Sequence, residues 1–202
     1  SMAHKVMETR RIPDEELYQD LKEAFSITSW KNYFTSILDE LDERMSDYEI
    51  LHQEYRVESD EMVGVIDVVW KHKETGKYLI TDYKFSNSDK GQVDILLDEQ
   101  MYIYAVIFAT MNGLTLDDID IGYINIPKTE MNSPRILKNG ELSKDKAQNT
   151  TYKKYLEKIK ELGLDETKYE DILLELKSKH LLTIEISPIN QDMAYRIMTN
   201  ID

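Results

Sequence analysis

Residues 62–85 read MVGVIDVVWKHKETGKYLITDYKF and predict a β-hairpin. Residues 62–73 and 77–85 are rich in valine, isoleucine and aromatic side chains, which favour strands. The tripeptide Glu74-Thr75-Gly76 separates the two runs, and a short connection that contains glycine is typical of a hairpin. This hairpin is the centre around which the remaining elements are predicted.

The chain on both sides of the hairpin alternates between helical and strand-like patterns. Helices are predicted at residues 14–25, 30–41, 94–111, 150–162 and 169–179 and after Pro188. Further strands are predicted at residues 49–57, 119–126 and 181–186, and a basic loop is predicted at 128–148. Strands flanked by helices on both sides predict a mixed α/β fold.

The length of 202 residues suits one domain. We expect a helical N-terminal part at 1–46 and a core at 47–127. A basic loop and C-terminal helices with one strand are expected to follow at 128–202.

The composition excludes several classes of protein. The chain has no cysteine, which excludes a disulfide framework, a cysteine-ligated zinc site, an iron–sulfur cluster and a cysteine nucleophile. The longest apolar-leaning run, residues 101–111, is too short to span a membrane, and no secretory signal pattern opens the chain. We therefore expect a cytoplasmic protein without a membrane partner.

The charge is strongly acidic overall but unevenly distributed. The net charge of −14 argues against a nucleic-acid partner, because lysine and arginine drive binding to phosphates. Residues 128–160, however, contain nine basic and four acidic residues. Two readings follow: a solvated loop and helix face, or a surface that follows a DNA backbone. In the second reading Lys153 and Lys154 are candidate DNA contacts.

Three polar side chains share one face of the predicted hairpin. Alternation places Asp67 on one face of the first strand, and it places Asp82 and Lys84 together on the second. In one register Asp67 faces Lys84, and in a register shifted by two residues Asp67 faces Asp82. Either register puts the three groups on the same face, whereas a slip by one residue separates them.

Two carboxylates among valine and isoleucine side chains repel each other and lose solvation. A divalent cation removes that penalty, and oxygen ligands suit Mg²⁺ or Mn²⁺. A lysine beside such a cation can orient a water molecule and stabilise negative charge at phosphorus. The alternative is a solvated ion cluster on an open sheet face.

Three short motifs resemble the RecB-like branch of the PD-(D/E)xK nuclease superfamily. They are Gly64-Val65-Ile66-Asp67, Ile80-Thr81-Asp82-Tyr83-Lys84 and Gln100-Met101-Tyr102-Ile103-Tyr104, which match G-x-x-D, D-Y-K and Q-x-x-x-Y in order. The resemblance covers about residues 54–104. It implies a restriction-endonuclease-like fold, with a central mixed β-sheet flanked by helices. It also implies metal-dependent phosphodiester hydrolysis that leaves 5′-phosphates.

The resemblance also implies roles for individual residues. Asp67 and Asp82 would bind the metal, Mg²⁺ or Mn²⁺, and Tyr83 would add its backbone carbonyl. Lys84 would be the catalytic lysine. Glu54 fits the upstream acidic position, whose carboxylate would reach the same metal directly or through water.

Other features of the family fit the chain less closely. Gln100 and Tyr104, four residues apart on one helix face, match the element that lines the DNA channel or supports the site. Many RecB-like nucleases have a histidine ligand on an N-terminal helix, but no histidine lies between His4 and His52. His52 is an alternative to Glu54 as the upstream ligand. Members with an iron–sulfur cluster use four cysteines, so this chain is outside that subgroup.

The leading functional hypothesis is a DNA exonuclease in recombination, repair or the processing of phage and mobile-element DNA. The partners would be DNA and a larger helicase or recombination assembly, and self-association is an option because ring-forming relatives exist. A second hypothesis is a non-catalytic module that binds DNA ends or a protein partner. A third, less supported, is a small-molecule metalloenzyme or a scaffold. The choice between DNA and RNA, the polarity and the need for an end stay open.

Overall fold

The structure is a computed structural model that describes residues 1–21, 24–60, 62–88 and 90–201, without the side chains of residues 15, 19, 20, 200 and 201. Its α-helices and strands are α1 (Met2–Thr9), α2 (Trp30–Arg44), β1 (Tyr48–Glu58), β2 (Val63–His72), β3 (Tyr78–Phe85), α3 (Gln92–Leu97), α4 (Glu99–Asn112), β4 (Ile119–Ile126), α5 (Tyr152–Glu161), α6 (Glu170–Ser178), β5 (Thr183–Pro188) and α7 (Gln191–Ile201). Short 3₁₀ helices lie at Glu15–Leu21, Leu116–Asp118 and Glu166–Tyr169. Within these residues, no helix is both long enough and apolar enough to cross a membrane.

The described chain divides into two compact units. The first unit comprises Ser1–Arg11, Leu38–Pro127 and Leu182–Asp202, and the second comprises Ile12–Ile37 and Lys128–Leu181. The first unit therefore contains the whole sheet, and the second contains α5, α6 and the first half of α2.

The sheet of the first unit has five strands in the order β1-β2-β3-β4-β5. Neighbouring strands are antiparallel except β3 and β4, which are parallel and are connected through α3 and α4. A parallel neighbour requires a crossover connection of this kind. The mixed α/β class is confirmed, as are the hairpin of β2 and β3 and the strand at residues 119–126.

Helix α4 packs on the sheet through an apolar face. Met101, Ala105 and Phe108 of this helix join Ile80 and Ile121 of the sheet in one buried cluster. Burial of such side chains contributes about 1.5–3 kcal/mol each to stability. This packing holds the N-terminal end of α4 against the same part of the fold as the strands that carry the predicted site.

The single helix predicted at residues 94–111 is wrong, because the chain forms α3 and α4 with a break at Asp98. Asp98 has ψ of 89°, outside the helical region, and its carboxylate accepts hydrogen bonds from Gln100 N at 3.1 Å and Met101 N at 3.4 Å. An aspartate at this position caps a new helix instead of continuing the old one. The predicted stop at residues 112–113 is confirmed, since Gly113 ends α4 with a left-handed φ of 64°.

The N-terminal part departs further from prediction. The α-helix predicted at residues 14–25 is wrong, because the described chain there is the 3₁₀ helix Glu15–Leu21, and residues 22 and 23 lie outside the description. A 3₁₀ helix has three residues per turn, which changes the buried face: Tyr18 is buried and Leu17 is 58% exposed. Helix α1 was not predicted at all, and it buries Ala3, Val6 and Met7.

The second unit is held by a buried carboxylate. Glu130 accepts hydrogen bonds from the backbone and hydroxyl of Thr28, both at 2.7 Å, from Ser29 N at 3.0 Å and from Asn32 Nδ2 at 2.5 Å. It therefore satisfies free N–H groups where α2 begins. The predicted loop at residues 128–148 is confirmed as irregular chain.

Candidate functional site

The pairing of β2 with β3 decides between the two registers that were left open. Val68 pairs with Thr81 and Val69 pairs with Ile80, so the next pair along the ladder places Asp67 opposite Asp82. The register in which Asp67 would face Lys84 is wrong. The hairpin site, defined here as Asp67, Asp82, Tyr83 and Lys84, thus brings its two carboxylates together across neighbouring strands.

Hydrogen bonds fix both carboxylates of the hairpin site. Asp67 Oδ2 accepts a hydrogen bond from Tyr83 N at 2.9 Å, and the carboxyl groups of Asp67 and Asp82 also share a hydrogen bond. Asp82 Oδ2 lies 2.6 Å from Lys84 Nζ. Burial, and after it the negative charge of Asp82, raises the pKa of Asp67 to about 6, whereas the Tyr83 N–H acts to lower it. The pair therefore holds a proton more tightly than a solvated aspartate does.

A second pair of carboxyl groups lies close to the first. Gln53 pairs with Val68 and Tyr55 pairs with Ile66, which puts Glu54 level with Asp67 on the neighbouring strand. Glu54 has a left-handed φ of 47°, a conformation that costs a residue other than glycine about 1–2 kcal/mol.

Glu8 of α1 completes this second pair. Its carboxyl group shares a hydrogen bond with that of Glu54. Burial, followed by this hydrogen bond and the charges of Glu54 and Asp67, raises the pKa of Glu8 to about 7. The predicted proximity of Glu54 to the hairpin site is thus supported by the fold, and Glu8 is a neighbour that sequence reasoning missed.

His4 of α1 is the other residue that sequence reasoning missed. Its Nε2 donates a hydrogen bond to the Tyr83 carbonyl oxygen at 3.2 Å, and its Nδ1 lies 2.8 Å from Ser1 Oγ. Its ring meets the Phe85 ring edge to face, with centroids 5.0 Å apart. Burial is the main cause that lowers the pKa of His4, so the ring is neutral near pH 7.

A sequence signal for His4 and Glu8 did exist. They are four residues apart and therefore share a helix face, while Ala3, Val6 and Met7 form the buried side of the same short helix. The search for a histidine on an N-terminal helix began after His4 and so missed it. His52, the alternative considered, lies against the Tyr55 ring, with centroids 4.4 Å apart.

The third motif lies against the first. Gln100 Nε2 donates a hydrogen bond to the Tyr104 hydroxyl at 2.8 Å. A Cβ atom on Gly64 would lie only 2.4 Å from Tyr104 Cε1, so only glycine lets this tyrosine approach β2. The glycine of G-x-x-D and the tyrosine of Q-x-x-x-Y are therefore packing partners.

Tyr123 of β4 adds a contact that no motif indicated. Asp82 is in register with Tyr123 in the parallel pair of β3 and β4, and Lys84 Nζ lies 4.9 Å from the centre of the Tyr123 ring. The Tyr123 hydroxyl donates a hydrogen bond to Asp98 Oδ2. Lys84 is thus enclosed by a carboxylate and an aromatic face.

The candidate DNA contacts Lys153 and Lys154 belong to the second unit. Lys153 is exposed, whereas Lys154 is half-buried and its Nζ donates a hydrogen bond to Asn32 Oδ1. Several basic residues of the stretch 128–160 have acidic partners: Arg135 with Asp145, Lys146 with Glu175, and Lys158 with Glu161. These ion pairs reduce the positive charge that the stretch presents.

The residues of the first unit offer the donors that Mg²⁺ or Mn²⁺ prefers. In the part of the chain that the structure describes, no three histidine and carboxylate groups converge into a ready metal site. The 3.2 Å between His4 Nε2 and the Tyr83 oxygen nevertheless suits adjacent ligands of one cation, since ligands at about 2.1 Å lie about 3 Å apart in an octahedron. The raised pKa values of Asp67 and Glu8 record a repulsion that a cation would relieve.

Comparison with known proteins adds no relative. No family model matches the chain, and no curated protein is significantly similar to it.

Proposed function

We propose that the chain is a metal-dependent DNA nuclease of the RecB-like branch of the PD-(D/E)xK superfamily, with a restriction-endonuclease-like fold. The observation that supports this most strongly is the pairing of Asp67 with Asp82 across β2 and β3, with Lys84 2.6 Å from Asp82. The order of the three motifs along the strands and α4 is consistent with it. The reaction is hydrolysis of a phosphodiester bond to leave a 5′-phosphate, most simply from a DNA end.

Asp67, Asp82 and the Tyr83 carbonyl are the residues that would hold Mg²⁺ or Mn²⁺, with His4 and Glu54 as further donors. When bound, the cation polarises the scissile phosphate and lowers the pKa of a water molecule. Two carboxylates supply two negative charges, and backbone and histidine donors add none, which suits a divalent cation. Glu8 shares its hydrogen bond with Glu54 and so controls whether that carboxylate is free.

Lys84 has the role of stabilising charge and orienting the nucleophile. Its ammonium group is a point charge with three rotatable donors, which suits a phosphate oxygen or an attacking water molecule. Water adds to phosphorus, the bond from phosphorus to O3′ breaks, and the products are a 5′-phosphate and a 3′-hydroxyl. Removing the ammonium group removes this stabilisation while leaving the carboxylates in place.

The test is a cleavage assay on linear and closed-circular DNA, single- and double-stranded, with Mg²⁺ or Mn²⁺ and with EDTA as the control. Loss of linear DNA alone indicates an exonuclease, and loss of circles as well indicates an endonuclease. Lys84→Ala is expected to abolish cleavage. Lys71→Ala is a matched control, because Lys71 also lies on a strand over an aromatic ring, 5.6 Å from the centre of Tyr78. Full activity in Lys84→Ala would refute the assignment.

The second candidate is a non-catalytic module of the same fold that binds DNA ends or a protein partner. Its support is the ion pair of Lys84 with Asp82, together with the net charge of −14. Metal binding without cleavage of any substrate would favour this candidate over the nuclease.

A further inference from the structure

The ammonium group of Lys84 has two neighbours on different strands. Asp82 Oδ2 lies 2.6 Å away on the same strand, and the centre of the Tyr123 ring lies 4.9 Å away on β4. A cation over an aromatic face within about 6 Å is attracted by the ring electrons. The parallel register puts Tyr123 beside Asp82, so both groups approach the lysine from the same face of the sheet.

The Tyr123 ring is itself held in place. Its side chain is almost fully buried, and its hydroxyl donates a hydrogen bond to Asp98 Oδ2. Asp98 also caps α4 through Gln100 N and Met101 N. Burial and the Asp98 carboxylate raise the pKa of Tyr123 far above its usual value, so the hydroxyl stays protonated and keeps donating.

We propose that Tyr123 is a positioning residue that holds the Lys84 ammonium group at the hairpin site, an inference that rests on the proposed nuclease function. A lysine has a flexible four-carbon stem, and one charged partner does not confine it. When the Asp82 carboxylate binds a cation, its attraction to Lys84 is shared, and the aromatic face becomes the contact that keeps the ammonium group near the scissile phosphate. The hydroxyl bond to Asp98 keeps the ring at the required angle and couples it to α4.

The position of Lys84 can be measured without any nuclease activity. In protein labelled with ¹³C at lysine Cε, protons over an aromatic face resonate upfield of those of exposed lysines, and Lys84→Gln identifies the signal by its loss. We expect an upfield signal in the wild type and in Tyr123→Phe, and its return to the position of exposed lysines in Tyr123→Leu. A wild-type signal among the exposed lysines, or an unchanged signal in Tyr123→Leu, would overturn the proposal.

Kinetics with Mg²⁺ test the consequence. Tyr123→Leu is expected to lower kcat about tenfold to a hundredfold with KM for DNA unchanged, since a misplaced catalytic group costs that much. Tyr123→Phe should lose less. Tyr78→Leu is the matched control, because Tyr78 is the ring beneath Lys71 in the same sheet and also packs on Phe108.

Thermal melting of both leucine variants measures the structural part of each effect. An equal loss of kcat in Tyr78→Leu and Tyr123→Leu, at equal loss of stability, would reduce Tyr123 to a packing residue. If the wild type cuts no substrate, the proposed nuclease function fails, and the lysine signal alone decides whether Tyr123 positions Lys84.

Discussion

Asp67→Asn should stabilise the metal-free protein at alkaline pH. The carboxylate lies beside Asp82 and is partly buried, and both effects raise its pKa to about 6. A solvated aspartate has a pKa of about 3.9, so the difference of about 2 units corresponds to about 3 kcal/mol at pH 8. Water at this partly exposed pair screens the repulsion, and we expect about half of that value. Asparagine keeps an acceptor for the Tyr83 N–H, so that hydrogen bond survives the change.

The pH dependence has a definite sign. Because the folded protein holds the Asp67 proton more tightly than the unfolded chain does, the wild type loses stability as the pH rises from about 4 through about 6. The variant lacks this loss. Its advantage is therefore absent near pH 4 and reaches about 1–2 kcal/mol at pH 8, or about 2–8 °C in Tm for a chain of this length.

Urea unfolding in EDTA, followed by circular dichroism from pH 4 to 8, measures the advantage directly. Addition of Mg²⁺ or Mn²⁺ at pH 8 should stabilise the wild type more than the variant, because a ligand of the folded state stabilises it in proportion to its affinity. Asp47→Asn, the same charge change at an exposed carboxylate, should show neither effect. A variant less stable than the wild type at pH 8 without metal would contradict the reasoning, as would an advantage that does not change with pH.

Three further predictions concern other parts of the chain. Gly64→Ala should cost about 1–3 kcal/mol in urea unfolding by overpacking against Tyr104, and Tyr104→Ala in the same chain should recover most of it; additive losses would exclude the contact. Glu130→Ala should cost about 2–4 kcal/mol, because four hydrogen bonds to a buried carboxylate are lost, and a change below 0.5 kcal/mol would contradict this. Burial acts to raise the pKa of Glu130, but its hydrogen bonds lower it further, so its stabilisation should be present above about pH 4.5 and decline below it. Lys153→Gln with Lys154→Gln should lower the salt dependence of DNA binding by about two units of slope in fluorescence anisotropy, whereas Lys177→Gln, outside the basic stretch, should not; equal slopes would remove these lysines from the interface.

The strands were predicted better than the helices of the first unit. Alternating apolar residues around a glycine turn are a local signal, and the hairpin formed as that signal predicted. The break between α3 and α4 depends on Asp98, whose carboxylate both caps α4 and accepts the Tyr123 hydroxyl from a distant strand. Such a partner is invisible in a window of local sequence, so a continuous helix was the natural expectation.

The candidate site divides in the same way. Sequence alone established that Asp67, Asp82 and Lys84 belong to one hairpin and share a face, because alternation along a strand is a local property. Only the tertiary structure decided that Asp67 faces Asp82, since register depends on how the whole ladder pairs. Only packing brought in His4 and Tyr123, because a short helix and a parallel strand reach the hairpin through contacts between residues far apart in the chain.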